Sequence, residues 1–296
     1  MFDKNFLQAK IETSGANINL VHGGKGKPLL LLHGYPQTHI MWHKTAPKLS
    51  ERFHVICLDL RGYGDSSKPQ STPDHFTYSK RAMAKDCVEV MRSLGYESFF
   101  VAGHDRGGRV AHRMALDYPD RIKGACVMDI APTHTMFKLT DKAFATGYYH
   151  WFFLIQPHNL PERLIGNDPE YYLREKLKRW GSPEAEFDEK FDKKAVQEYI
   201  RCFSDPAAIH ASCEDYRAAA SVDLEHDEED LHKKIACPLL VLWGAKGFIN
   251  RTYNVIETWK EKAINVRGRA LDCGHFLPEE QPEAVCDELI KFFYSI

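Results

Sequence analysis

The chain has no surplus of positive charge. Its 39 Lys and Arg stand against 41 Asp and Glu, a formal charge of −2 over 296 residues. That gives no basic face for nucleic acid and no polybasic membrane anchor. No apolar run approaches the ~20 residues needed to cross a bilayer as a helix. None of the eight cysteines stands in a C-x-x-C pair. Several lie inside apolar runs, as in His54-Val55-Ile56-Cys57-Leu58, and read as buried reduced thiols and not as a disulfide framework or a zinc site. Residues 1–10 are polar and charged, without the apolar centre of a signal peptide or the arginine-rich pattern of a transit peptide, so a cytoplasmic location is expected. Internal repeats, low-complexity tracts and flexible linkers are absent as well. What remains is a globular chain, 44% hydrophobic and 27% charged, whose expected partners are small molecules, with no metal or cofactor.

Short runs that are apolar on both faces recur at 28–32, 54–60, 98–102, 124–130 and 238–243, most followed by a glycine turn and a segment of helical spacing. Such runs suit strands covered on both sides, and their alternation with helices predicts an α/β fold with a mostly parallel sheet. A more polar pair, 9–13 and 17–22, predicts an antiparallel edge. After residue 132 the strand pattern stops, and the composition becomes aromatic, charged and helical at 142–153, 169–180, 193–203 and 206–220. The strand pattern resumes at 238, with 265–271 a further strand and 282–294 a closing helix carrying proline in its first turn. The predicted organisation is a core of residues 1–131 and 235–296 with an inserted helical cap of residues 132–234.

In Gly103-His104-Asp105-Arg106-Gly107, small residues flank position 105 on both sides, after a strand and before a helix. That pattern describes a nucleophile elbow, a strained turn holding its central side chain at a helix N-terminus. Most elbows carry serine; here the centre is aspartate, which is also a favoured helix N-cap. A carboxylate nucleophile makes an ester, and hydrolysing that ester requires a base. His275, in Asp272-Cys273-Gly274-His275-Phe276, follows the last strand, where the chain order nucleophile, acid, histidine places it. The histidine needs an acid to fix its tautomer. Residues 243–248 offer none, but Asp129, in Cys126-Val127-Met128-Asp129-Ile130, stands in apolar company where an unpaired charge would be costly. His33-Gly34-Tyr35-Pro36 fits the loop that gives one oxyanion-hole amide, assigned to Tyr35, with the second from Arg106.

With Asp59-Leu60-Arg61-Gly62-Tyr63-Gly64, these motifs resemble the α/β-hydrolases of the haloacetate (fluoroacetate) dehalogenase type, relatives of the haloalkane dehalogenases and epoxide hydrolases. The resemblance runs nearly the whole length. It implies that Arg106 and Arg109 bind a substrate carboxylate; independently, positions i and i+3 share a helix face, and guanidinium groups suit a planar anion. It further implies that His150, Trp151 and Tyr216 receive a departing halide with N–H and O–H donors. A homodimer is implied by the resemblance only. The implied activity is hydrolysis of fluoroacetate, or another haloacetate, to glycolate and halide through an aspartyl ester. An epoxide hydrolase with the same triad is the alternative, disfavoured by two arginines that would serve little purpose for a neutral epoxide. A ligand receptor without turnover is disfavoured because Asp105, Asp129 and His275 are all present.

Overall fold

In β3 (Lys27–Leu32), Leu29, Leu30, Leu31 and Leu32 are all fully buried. Each contributes roughly 1.5–3 kcal/mol of transfer free energy relative to exposure. Burial on both faces puts β3 at the middle of the sheet, paired in parallel with β4 (Phe53–Leu58) on one side and β5 (Phe99–His104) on the other. β6 (Ile122–Met128), β7 (Leu239–Gly244) and β8 (Val266–Leu271) continue the parallel arrangement. β1 (Leu7–Glu12) and β2 (Asn17–Gly23) form an antiparallel edge, giving the order β1-β2-β4-β3-β5-β6-β7-β8. The computed structural model describes residues 1–181 and 186–296.

Strand ends depart from the sequence reading where side chains take over the ladder. The strand expected over 54–60 stops at Leu58, because the amide of Leu60 donates to His33 Nε2 at 3.0 Å instead of to a neighbouring strand. The strand expected over 98–102 runs on to His104, directly into the elbow. There Gly103 and Gly107 are required: an added Cβ would lie 2.2 Å from the Gly107 carbonyl at the first and 2.4 Å from the His33 carbonyl at the second. The helix Arg106–Asp117 can therefore sit directly against the loop after β3.

Between β6 and β7 the described residues contain helices and no strand. Those that bear on the site are Tyr149–Phe153, Pro169–Trp180 and Pro206–Ala219. The single helix expected over 142–153 is corrected to two, Lys142–Gly147 and Tyr149–Phe153. Tyr148 leaves helical geometry at φ −111°, ψ 34°, next to Gly147, which lies so close to the Phe248 ring that a Cβ there would stand 2.8 Å from it. No helix among the described residues is long and apolar enough to cross a membrane. The eight cysteines are unpaired, seven of them buried.

Candidate active site

The sheet register brings the expected carboxylates together. His104 pairs with Met128 across β5 and β6, so Asp105 and Asp129 are the first residues beyond the C-terminal ends of adjacent strands. Both adopt positive φ, 47° at Asp105 and 50° at Asp129. For a residue with a Cβ this costs about 1–3 kcal/mol, strain that the neighbouring hydrogen bonds must hold in place. The Asp105 amide donates to the Met128 carbonyl at 3.1 Å and the Asp129 amide to the Leu242 carbonyl at 2.8 Å. Asp105 Oδ1 accepts from the Tyr35 amide at 2.9 Å. Asp129 uses Oδ1 to accept from the Gly244 amide at 2.9 Å and Oδ2 to meet His275 Nδ1 at 2.6 Å. These groups form the floor of the site, and all three side chains are buried.

The charges of the floor are coupled. Burial would raise the Asp105 carboxyl, but His275, His104, Arg106 and Arg109 together hold it below the ordinary carboxylate range. Burial would lower the His275 imidazole, yet the Asp129 hydrogen bond and charge, with Asp105, lift it above 6.5. Beside it, His104 is driven down to about 3 by burial and by His275, and its Nε2 lies 2.8 Å from the His275 carbonyl.

Arg106 and Arg109 are both buried but are not equivalent. Arg106 forms a two-pronged pair with Asp215, Nε to Oδ2 at 2.9 Å and Nη2 to Oδ1 at 2.6 Å, and Nη2 also reaches the Asp215 carbonyl. Its Nη1 has no partner. Arg109 meets only neutral groups, the Ala131 carbonyl at 3.0 Å and Thr133 Oγ1 at 2.9 Å through Nη1, and Met136 Sδ through Nη2; its Nε has no partner. Above them lies a roof of aromatic residues from the helical insertion. The Arg106 guanidinium sits 4.2 Å from the Tyr216 ring centre and that of Arg109 4.6 Å from Trp151, contacts favourable for a desolvated cation. His150 stacks parallel to Tyr35 at 6.4 Å and meets Tyr216 edge-on at 5.5 Å. His150 Nδ1, Trp151 Nε1 and Tyr216 OH are all buried without a hydrogen-bond partner. Burial, then Lys176 and His275, drive His150 well below 6.5, so its ring is neutral.

Residues 27–282 match the family model of the alpha/beta hydrolase fold. The chain belongs to the α/β-hydrolase family. A fluoroacetate dehalogenase from Burkholderia sp. is 44% identical to it, covering 99% of this chain and 95% of its own length. A soluble epoxide hydrolase from Corynebacterium sp. (strain C12) is 36% identical, covering 95% of this chain and 94% of its own. Among solved structures, a Nostoc sp. PCC 7120 protein described only at the level of an α/β hydrolase is 62% identical and superimposes with a TM-score of 0.96, covering 98% of both chains.

Two residues of this α/β-hydrolase site escape the sequence reading. Trp180 closes the helix Pro169–Trp180; its ring lies 4.4 Å from His150 and 5.8 Å from His275, and its Nε1 is a further buried donor without a partner. Its carbonyl accepts from the His275 amide at 2.8 Å, tying roof to floor. The only sequence signal is an aromatic residue at a helix end. Asp215 appears in the sequence only as the neighbour of Tyr216, and nothing in an i, i+3 pattern shows that it takes up most of Arg106. A cavity of about 470 Å³ is lined by the buried Asp129 and His275, by Tyr148 and Trp180, and by the exposed Arg179, Lys246 and Arg251. Asp105 and the two arginines are not on its wall; Trp180 belongs both to the cavity and to the roof.

Proposed function

We propose that this α/β-hydrolase is a hydrolytic dehalogenase of short 2-haloacids, converting fluoroacetate or another haloacetate to glycolate and halide, with residues 132–234 acting as its cap. The observation that carries the reading is the set of buried, unpartnered groups on the elbow helix and the roof above it: Arg106 Nη1, Arg109 Nε, His150 Nδ1, Trp151 Nε1 and Tyr216 OH. Each unsatisfied buried polar group costs about 1–3 kcal/mol. A ligand with a carboxylate at one end and a halogen at the other would satisfy cationic and neutral donors together. The kinship to the Burkholderia fluoroacetate dehalogenase points the same way.

In this mechanism Asp105 Oδ1 is held by the Tyr35 amide and Oδ2 attacks the halogen-bearing carbon. The new C–O bond forms as the carbon–halogen bond breaks, and the halide leaves with the electron pair toward His150, Trp151 and Tyr216. Oδ1 becomes the ester carbonyl, already facing an amide that can stabilise an oxyanion. His275, oriented by Asp129, takes a proton from water as the water oxygen adds to the Asp105 carboxyl carbon. Collapse breaks the bond to the former Oδ2, which takes the proton from His275 and leaves as the hydroxyl oxygen of glycolate, while the water oxygen stays in the Asp105 carboxylate and its second proton passes to solvent. A single turnover in ¹⁸O water therefore places the label in Asp105; label appearing directly in glycolate sinks the mechanism.

Epoxide hydrolysis is the second reading. It is favoured by the unpartnered Tyr216 hydroxyl, by Tyr148 on the cavity wall and by the Corynebacterium relative. Halide release from fluoroacetate and chloroacetate, set beside diol formation from styrene oxide, separates the two. Homodimeric assembly belongs to the same proposal and is read by light scattering of the pure protein.

A further inference from the structure

Asp215 is fully buried on the helix Pro206–Ala219 and is surrounded by donors: Nε and Nη2 of Arg106, Nζ of Lys80, and the Tyr63 hydroxyl at 2.6 Å. Lys80 in turn reaches Asp223, Nζ to Oδ2 at 3.3 Å and the Lys80 amide to Oδ1 at 2.8 Å. Two cations and two carboxylates, each at most 5% exposed, thus form one neutral cluster beneath the roof. It links the elbow helix, the start of the helix Lys80–Ser93 and the two insertion helices Pro206–Ala219 and Val222–Glu229. Arg109 has no ion pair among the described residues.

We propose that Asp215 is a positioning and specificity-determining residue: it neutralises Arg106, occupies two of its three nitrogens and leaves only Nη1 toward the substrate, so that Arg109 supplies the attraction for a carboxylate. The proposal rests on the haloacid reading above and assigns unequal roles to the arginines within it. The adjacent residue, Tyr216, stacks on the same guanidinium, so one cap helix fixes both the orientation of Arg106 and the height of a roof donor. The surroundings of the two arginines agree with this division. Burial works against both charges, but Asp215 more than offsets it at Arg106, whereas at Arg109 burial and the neighbouring Arg106 both push the group below its usual range.

A neutral cluster makes a prediction with a sign. Asp215→Asn leaves the cluster with one extra positive charge and frees Arg106, so acetate should bind roughly tenfold tighter by calorimetry while kcat for chloroacetate falls. Lys80→Met leaves one extra negative charge, and acetate should bind roughly tenfold more weakly, with Asp215 still held by Arg106 and Tyr63. The double variant restores neutrality and should return acetate affinity toward the wild type without restoring kcat. Simple structural damage would weaken acetate binding in both single variants and worsen it in the double; that ordering, or unchanged affinity throughout, overturns the proposal. If Asp215→Asn does not fold, Asp223→Asn takes its place: it also leaves the cluster one extra positive charge, so tighter acetate binding is expected, and weaker or unchanged binding overturns the proposal. Halide release by the wild type reports separately on the haloacid reading: a wild type that releases halide while the affinities fail to follow charge refutes only the role of Asp215. One that releases none refutes the activity, with the affinity order still testing the cluster. A wild type that does not bind acetate overturns both.

Discussion

The floor and the roof of the site are built on opposite principles. Floor groups sit at strand ends with strained backbones and nearly complete hydrogen bonding: Asp129 accepts from Gly244 and meets His275, and Asp105 accepts from Tyr35. Roof groups sit on ordinary helices and leave donors unsatisfied: His150, Trp151, Trp180 and Tyr216 each carry a buried N–H, ring nitrogen or O–H without a partner. The difference teaches where chemistry and selection reside. A network satisfied before substrate arrives is suited to making and breaking bonds at fixed positions, whereas an unsatisfied one is suited to receiving a group that brings its own lone pairs.

If this contrast holds, damage to the floor should abolish turnover and damage to the roof should only reshape it. Asp105→Ala is expected to lower halide release from chloroacetate by at least ~10⁴-fold, since no other group forms the ester. His275→Ala should lower steady-state turnover by about 10³-fold while a covalent adduct on Asp105 accumulates, visible by intact-protein mass spectrometry; absence of the adduct would falsify the role of His275. Arg109→Ala should cost roughly 10²-fold in kcat/KM, mainly through KM, because a buried carboxylate loses its cation. Tyr216→Phe and Trp180→Phe should each cost roughly tenfold with fluoroacetate and less with bromoacetate, a larger anion that is easier to desolvate. An equal loss with both substrates would break the assignment of the roof to halide.

The smallest expected effect is one of pH. Asp129 raises the His275 pKa above 6.5, and the base must be neutral to take a proton from water. Ester hydrolysis should therefore fade as pH drops through that raised value. Ester formation should persist below it, because Asp105 is held on the ionised side. A burst of halide without matching glycolate at acid pH is the signature to look for.

The same contrast decides what the sequence reveals. Floor residues are legible because they obey local rules: small residues around Asp105, a lone acid in an apolar strand end at Asp129, a histidine after the last strand. Their partners follow from strand order, so His275 and Asp129 could be matched although 146 positions apart. Roof residues obey no such rule. Resemblance alone singles out His150, Trp151 and Tyr216, and nothing in the sequence singles out Trp180, because an aromatic residue on an amphipathic helix looks the same whether it packs or binds. The close approach of Gly147 to Phe248 and the pairing of Arg106 with Asp215, 109 positions apart, join segments distant in sequence. Both are products of tertiary packing that no local pattern encodes.

The position of Asp129, which meets His275 from just beyond the end of β6, has a consequence for the loop after β7. The last residue of β7, Gly244, donates its amide to Asp129, and among the described residues the side chains of the loop from Ala245 onward make no hydrogen bond to His275. Lys246, Phe248 and Arg251 instead line the cavity that leads to the His275 pair. The exposed Lys246 and Arg251 can thus be changed in size or charge without touching the Asp129–His275 pair, whereas Phe248 also packs on Gly147 and Tyr148 and ties that wall to the roof.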